Sequence, residues 1–197
     1  MKSEMIKNMT LAAMFLAIGL FLPFLTGQIP QFGNMMLPMH IPVILCGLIC
    51  GWKYGLMIGF ILPGFRFLLF GSPPFLAPFP VGLAMTFELA TYGFLTGFLY
   101  QRSRWQCLIA LYRAMITAMV AGRIVWGAVM FLLVPLGLNA NGFTFGAFMS
   151  GAILTAIPGI IIQLTLIPAL MVTLNRTGLV KFHKEKPASL PTPHNNG

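Results

Sequence analysis

From Met9 to Leu174 the chain is a succession of apolar runs separated by short loops. A helix needs about 20 apolar residues to cross the hydrocarbon core of a bilayer. The runs predict spanning helices at about Met9–Thr26, Met39–Cys50, Tyr54–Phe70, Val81–Tyr100, Tyr112–Leu136 and Phe145–Leu174. The second is short and opens on His-Ile-Pro, as a tilted or partly buried segment would. The third carries a break at Pro63 and Gly64. Pro73, Pro74, Pro78 and Pro80 mark a loop that cannot be regular helix. The reading is an all-α integral membrane protein, with a six-span membrane domain over residues 1–175 and a cytoplasmic polar tail over 176–197. The tail reads as disordered at its end. The first run is too long for the apolar region of a secretory signal, and no small-x-small cleavage site closes it.

The basic residues orient the spans. Lys2 and Lys7 precede the first, and Lys53 lies between the second and third. Arg102 and Arg104 lie between the fourth and fifth. Arg176, Lys181, Lys184 and Lys186 follow the sixth. The intervening loops 27–38, 71–80 and 137–144 hold no Lys or Arg. Positive charge stays on the cytoplasmic side, so both termini are expected inside and the uncharged loops outside. Those outer loops hold Gln28, Gln31, Asn34, Asn139 and Asn141. They are either lids over a cavity or compact turns.

Composition excludes the main alternative to lipid. Charged residues are 8% of the chain, against roughly 25% in a soluble domain. A net charge of +9 would suggest nucleic acid in a soluble protein. Here the basic residues sit at helix ends and serve orientation instead. Cys46 and Cys50 share a helix face in an apolar run and read as small apolar filler. Neither they nor Cys107 has the companions of a zinc site. No metal and no cofactor are expected.

Ionisable groups inside hydrocarbon are costly and mark function by default. His40, Arg66, Glu88 and Arg123 fall within the spans. Three lie in the outer half, and Arg123 would form a floor near the midplane. Arg66 and Glu88 could neutralise each other as a structural pair. Arg123 would then lack an acid, because the other carboxylates, Glu4 and Glu185, sit at cytoplasmic ends. A ligand carboxylate could complete it, since guanidinium binds one in bidentate fashion. Backbone carbonyls and water are the alternative. Tyr92 shares a face with Glu88, and Trp126 with Arg123. Asn141 adds a polar group from the outer loops. Met35, Met36 and Met39 cluster at the mouth. Ala13 and Ala17 form a small-xxx-small face on the first span, which lets another helix approach closely in lipid.

The chain contains no HExxH, no GxSxG, no P-loop and no Asp, so the familiar catalytic and ATP-binding motifs are absent. Without repeat symmetry or an energy source, a binding subunit that relies on a partner is the expected class. A structural or assembly membrane protein without ligand is the competing one.

Several stretches carry a more specific likeness. They are Ala13 with Ala17, Leu37-Pro-Met-His-Ile-Pro-Val through Gly51, and Lys53-Tyr-Gly. Arg66-Phe-Leu-Leu-Phe-Gly-Ser-Pro-Pro, Phe87-Glu-Leu-Ala-Thr-Tyr-Gly and Ala121-Gly-Arg-Ile-Val-Trp complete the set. In these the chain resembles the substrate-binding S components of energy-coupling factor (ECF) vitamin transporters. The resemblance implies an outward-facing vitamin pocket under the loops in a bacterial plasma membrane. It implies that the face matched by Ala13 and Ala17 packs on a transmembrane coupling subunit, and that two cytoplasmic ATPases power the cycle. No hydrolysis is expected in this chain. The excess of Arg over Glu favours a carboxylate ligand, with pantothenate first. Glu88 with His40 could instead read an uncharged ring such as pyridoxine or hydroxymethylpyrimidine.

Overall fold

The computed structural model describes residues 2–25, 39–75, 80–103, 107–135, 146 and 157–176. The regular elements among them are helices: α1 (Lys2–Leu25), α2 (His40–Cys50), α3 (Trp52–Phe70), α4 (Val81–Arg102), α5 (Leu108–Leu133) and α6 (Ile157–Arg176). Glu4 in the first turn of α1 complements the helix N-terminus, and the helix begins before the apolar run does. Segments of α1, α3, α5 and α6 are long and apolar enough to cross a membrane. The outward faces of these helices show why lipid suits them: Phe21, Phe60, Leu68, Ile109, Ile124 and Ile161 are all exposed.

The short α2 is the inner element. Its eleven residues span about 16 Å, about half of the roughly 30 Å hydrocarbon thickness. All of them except Ile49 are buried. It packs against α1, α3 and α4 and touches α6. Gly51 ends it at φ 103°, a left-handed conformation that favours glycine, and the chain turns directly into α3.

Pro63 does not break α3, contrary to expectation: the helix runs through it to Phe70. Proline removes one backbone donor. Lipid penalises an open backbone so strongly that spanning helices absorb such a loss and continue. Gly71, at φ 67°, then caps the helix by donating its N–H to the carbonyl of Phe67.

α4 is the hub. It packs along α2, α3 and α5, and its approach to α3 is backbone to backbone. A Cβ added at Gly93 would collide with the Gly55 carbonyl, and one at Gly55 with the Gly93 carbonyl. Small residues gain stability in lipid by this close packing. The Gly93-xxx-Gly97 spacing on α4 carries the signal. The described part of the 71–80 loop lies against the helix ends. Phe75 packs on Phe67 with ring centres 5.1 Å apart, and Gly82 donates its N–H to the Pro74 carbonyl at 2.7 Å. This part is a compact turn. Loops 27–38 and 137–144, the expected sixth-span residues 147–156 and the tail beyond Arg176 lie outside the described residues.

Candidate functional site

Glu88 lies seven residues into α4, about 10 Å from the end that carries the uncharged loops. It is 1% exposed. A carboxylate so buried must be paired and hydrogen-bonded to be tolerated, and three helices supply the partners. Tyr92, one turn on, donates its hydroxyl to Glu88 Oε1 at 3.0 Å. Arg123 of α5 places Nη1 3.1 Å from the same oxygen. His40, the first residue of α2, has Nε2 3.7 Å away. That is too long for a hydrogen bond. The imidazole instead packs edge-on against the Tyr92 ring at 5.1 Å. None of these three approaches uses Oε2. The Tyr92 hydroxyl also lies 3.5 Å from the Met119 carbonyl.

Local sequence explains how the groups meet. Glu88 and Tyr92 are one turn apart and so share a face. Gly122 lets the Tyr92 ring in, because a Cβ there would stand 2.7 Å from Cε1. Arg123 follows it directly and reaches α4 beside the ring. Ala118 and Gly122, one turn apart on α5, are both buried here.

This geometry corrects the charge assignment. Glu88 pairs with Arg123 and not with Arg66. Arg66 donates Nε to the Ser72 carbonyl at 3.2 Å, at the end of its own helix. Arg123 therefore has its acid within the chain, and the count that asked for a ligand carboxylate no longer holds. The error arose because position along a helix fixes depth but not rotation. Arg66 had the nearer depth, whereas Arg123 lies on the helix that faces Glu88.

The cluster is incompletely satisfied. Among the described residues His40 Nδ1 and Nε2, and Arg123 Nε and Nη2, are buried without hydrogen-bond partners. Unsatisfied buried polar atoms are rare and call for an occupant or a function. Gln163 of α6 is a further case, 1% exposed with Nε2 unpartnered. It lies on the helix face of Ile160, Ile167 and Met171, and that face packs into the apolar cluster containing Tyr92 and Met119. Sequence reading missed Gln163, although an amide in an apolar spanning run is itself a signal.

The remaining expected residues are placed differently. Trp126 packs against the cluster of Ala84, Met130 and Leu133, nearer the C-terminal end of α5. Met39 is buried against α1 and α3 residues. Ala13 and Ala17 are exposed on α1, on a surface no other described helix covers. Asn141, Met35 and Met36 lie outside the described residues.

Buried polar groups from α2, α4 and α5 thus converge inside an otherwise apolar helical bundle. No curated protein and no solved structure matches the chain. The family model of the ECF transporter, substrate-specific component, matches residues 7–171. The family supplies the substrate-binding membrane subunit of a transporter and not an enzyme. The chain belongs to the substrate-specific components of ECF transporters.

Proposed function

We propose that this subunit captures an uncharged, hydrogen-bonding vitamin ring of the pyridoxine or hydroxymethylpyrimidine type at the Glu88 cluster. The observation that carries this reading is the Glu88–Arg123 pair with its unfilled neighbours. The charges of Glu88 and Arg123 offset one another within the cluster. A second carboxylate would meet Glu88 as a like charge in a buried site, which is strongly disfavoured. An uncharged ring bearing hydroxyls, amino groups and ring nitrogens avoids that conflict. Its acceptors answer Arg123 Nε and Nη2 and the Gln163 amide. Its donors answer Glu88, which as a carboxylate only accepts.

The topology belongs to the same proposal: six spans, both termini in the cytoplasm of a bacterial cell, and the pocket open to the outside. The exposed Ala13 and Ala17 are the docking face for the coupling subunit, and two ATPases of the module supply the energy. Pantothenate keeps one supporting feature, the half-buried Arg66 on the margin of the same half of the bundle.

The test is thermal stability of the detergent-purified chain against pyridoxine, hydroxymethylpyrimidine and pantothenate. A ligand at 100 times its Kd stabilises the native state by about 2.7 kcal/mol. A saturable shift with an uncharged ring and none with pantothenate supports the proposal. A shift with pantothenate alone overturns the ligand class and restores the carboxylate reading. No shift with any of them, from folded protein, removes the cluster as a vitamin site.

A further inference from the structure

A second polar pocket lies at the opposite end of the bundle. The C-terminal end of α4 and the first turns of α5 flank an open surface pocket of about 310 Å³, and Arg102, Arg113 and Thr117 are exposed along it. Arg102, Ser103, Arg113 and Thr117 give it polar walls, and Leu99 and Ala114 line it with apolar surface. Two arginines from neighbouring helices thus line one small pocket. The described carboxylates are Glu4, on α1, and Glu88, in the cluster already described. No ion pair of Arg102 or Arg113 with either is present among the described residues. Arg102 stacks its guanidinium 5.8 Å from the centre of the Phe98 ring, which leaves its edge for an anion.

The position selects the anion. Arg113 is five residues into α5, about 8 Å along the helix from its first residue, so the charges lie at headgroup depth. Ile109, Tyr112 and Ile116 of the same helix stretch are exposed, as a lipid-facing surface would be. In the proposed topology, on which this inference rests, this end lies in the cytoplasmic leaflet, where anionic lipids gather beside basic residues.

We propose that this pocket binds the phosphate of an anionic phospholipid, with Arg102 and Arg113 as its charge partners and the Ser103 and Thr117 hydroxyls beside them. Guanidinium suits phosphate because its planar fork presents parallel donors. The site is independent of the vitamin site. It clamps together the ends of α4 and α5, the two helices that supply Glu88 and Arg123.

The test is native mass spectrometry of the full chain with phosphatidylglycerol or phosphatidylcholine. The expected result is one tightly held phosphatidylglycerol, retained at least ~10-fold better than phosphatidylcholine. The double variant Arg102→Gln, Arg113→Gln should lose that preference, and millimolar inorganic phosphate should not displace the lipid. Leu99→Trp, which fills the pocket and keeps both charges, should lose it too and decides the matter if the double variant does not fold. Equal retention of both lipids, or a preference that survives either folded variant, overturns the proposal. Displacement by inorganic phosphate overturns the lipid as the ligand.

Discussion

Replacing Arg123 with Met removes the charge 3.1 Å from Glu88 and leaves a carboxylate that is 1% exposed. Tyr92 still donates to it, but one neutral hydrogen bond does not replace a guanidinium. The Arg123 side chain is itself only 14% exposed, so water screens the pair little. Breaking a buried pair by removing one partner costs about 3–5 kcal/mol, because the other charge stays buried. For a chain of this length about 1 kcal/mol moves Tm by roughly 2–4 °C. The Arg123→Met variant should therefore melt roughly 6–20 °C lower without any ligand. Glu88→Gln alone should also destabilise, since it strands the arginine. The double variant should recover much of the loss, with a coupling of about 0.5–3 kcal/mol. The assay is thermal unfolding of the four detergent-purified proteins, ligand-free. Additivity within about 0.5 kcal/mol would mean that the two groups do not share an ion pair, and the reasoning about the site's charge would fail with it.

Gly93→Val should abolish the stable fold, because its Cβ has no room beside the Gly55 backbone; monodisperse, thermally normal protein on gel filtration would refute the close-packed seam. Gln163→Leu should leave the unliganded protein as stable or more so by about 1 kcal/mol, since it removes a buried amide nitrogen without a partner. The same change should weaken vitamin binding about tenfold, and unchanged affinity in equilibrium dialysis would remove Gln163 from the pocket. Trp at Ala13 or Ala17 should leave vitamin binding intact and stop uptake in cells carrying the whole module; normal uptake would place the docking face elsewhere.

Much of the helical framework was legible because lipid makes apolar run length and helix length nearly the same quantity. α3 and α4 begin and end within two residues of expectation. The expected break at Pro63 failed because that same solvent holds a helix together across a missing donor. At the site, the i, i+4 relation joined Glu88 to Tyr92, and His40 Nε2 lies 3.7 Å from the Glu88 carboxylate. The partner of Glu88 was not legible, because contact between helices depends on how each is rotated, and one sequence does not encode rotation in a countable way. The Gly55–Gly93 contact shows the same limit. Each glycine is visible in the sequence, but their mutual contact exists only once α3 and α4 are docked.

The most direct test of the central claim is equilibrium dialysis of labelled hydroxymethylpyrimidine, pyridoxine and pantothenate against the wild-type chain and Glu88→Gln. The account predicts saturable binding of an uncharged ring, weakened about tenfold or more by Glu88→Gln through loss of a charged hydrogen bond. Saturable binding of pantothenate that Glu88→Gln leaves untouched would contradict it.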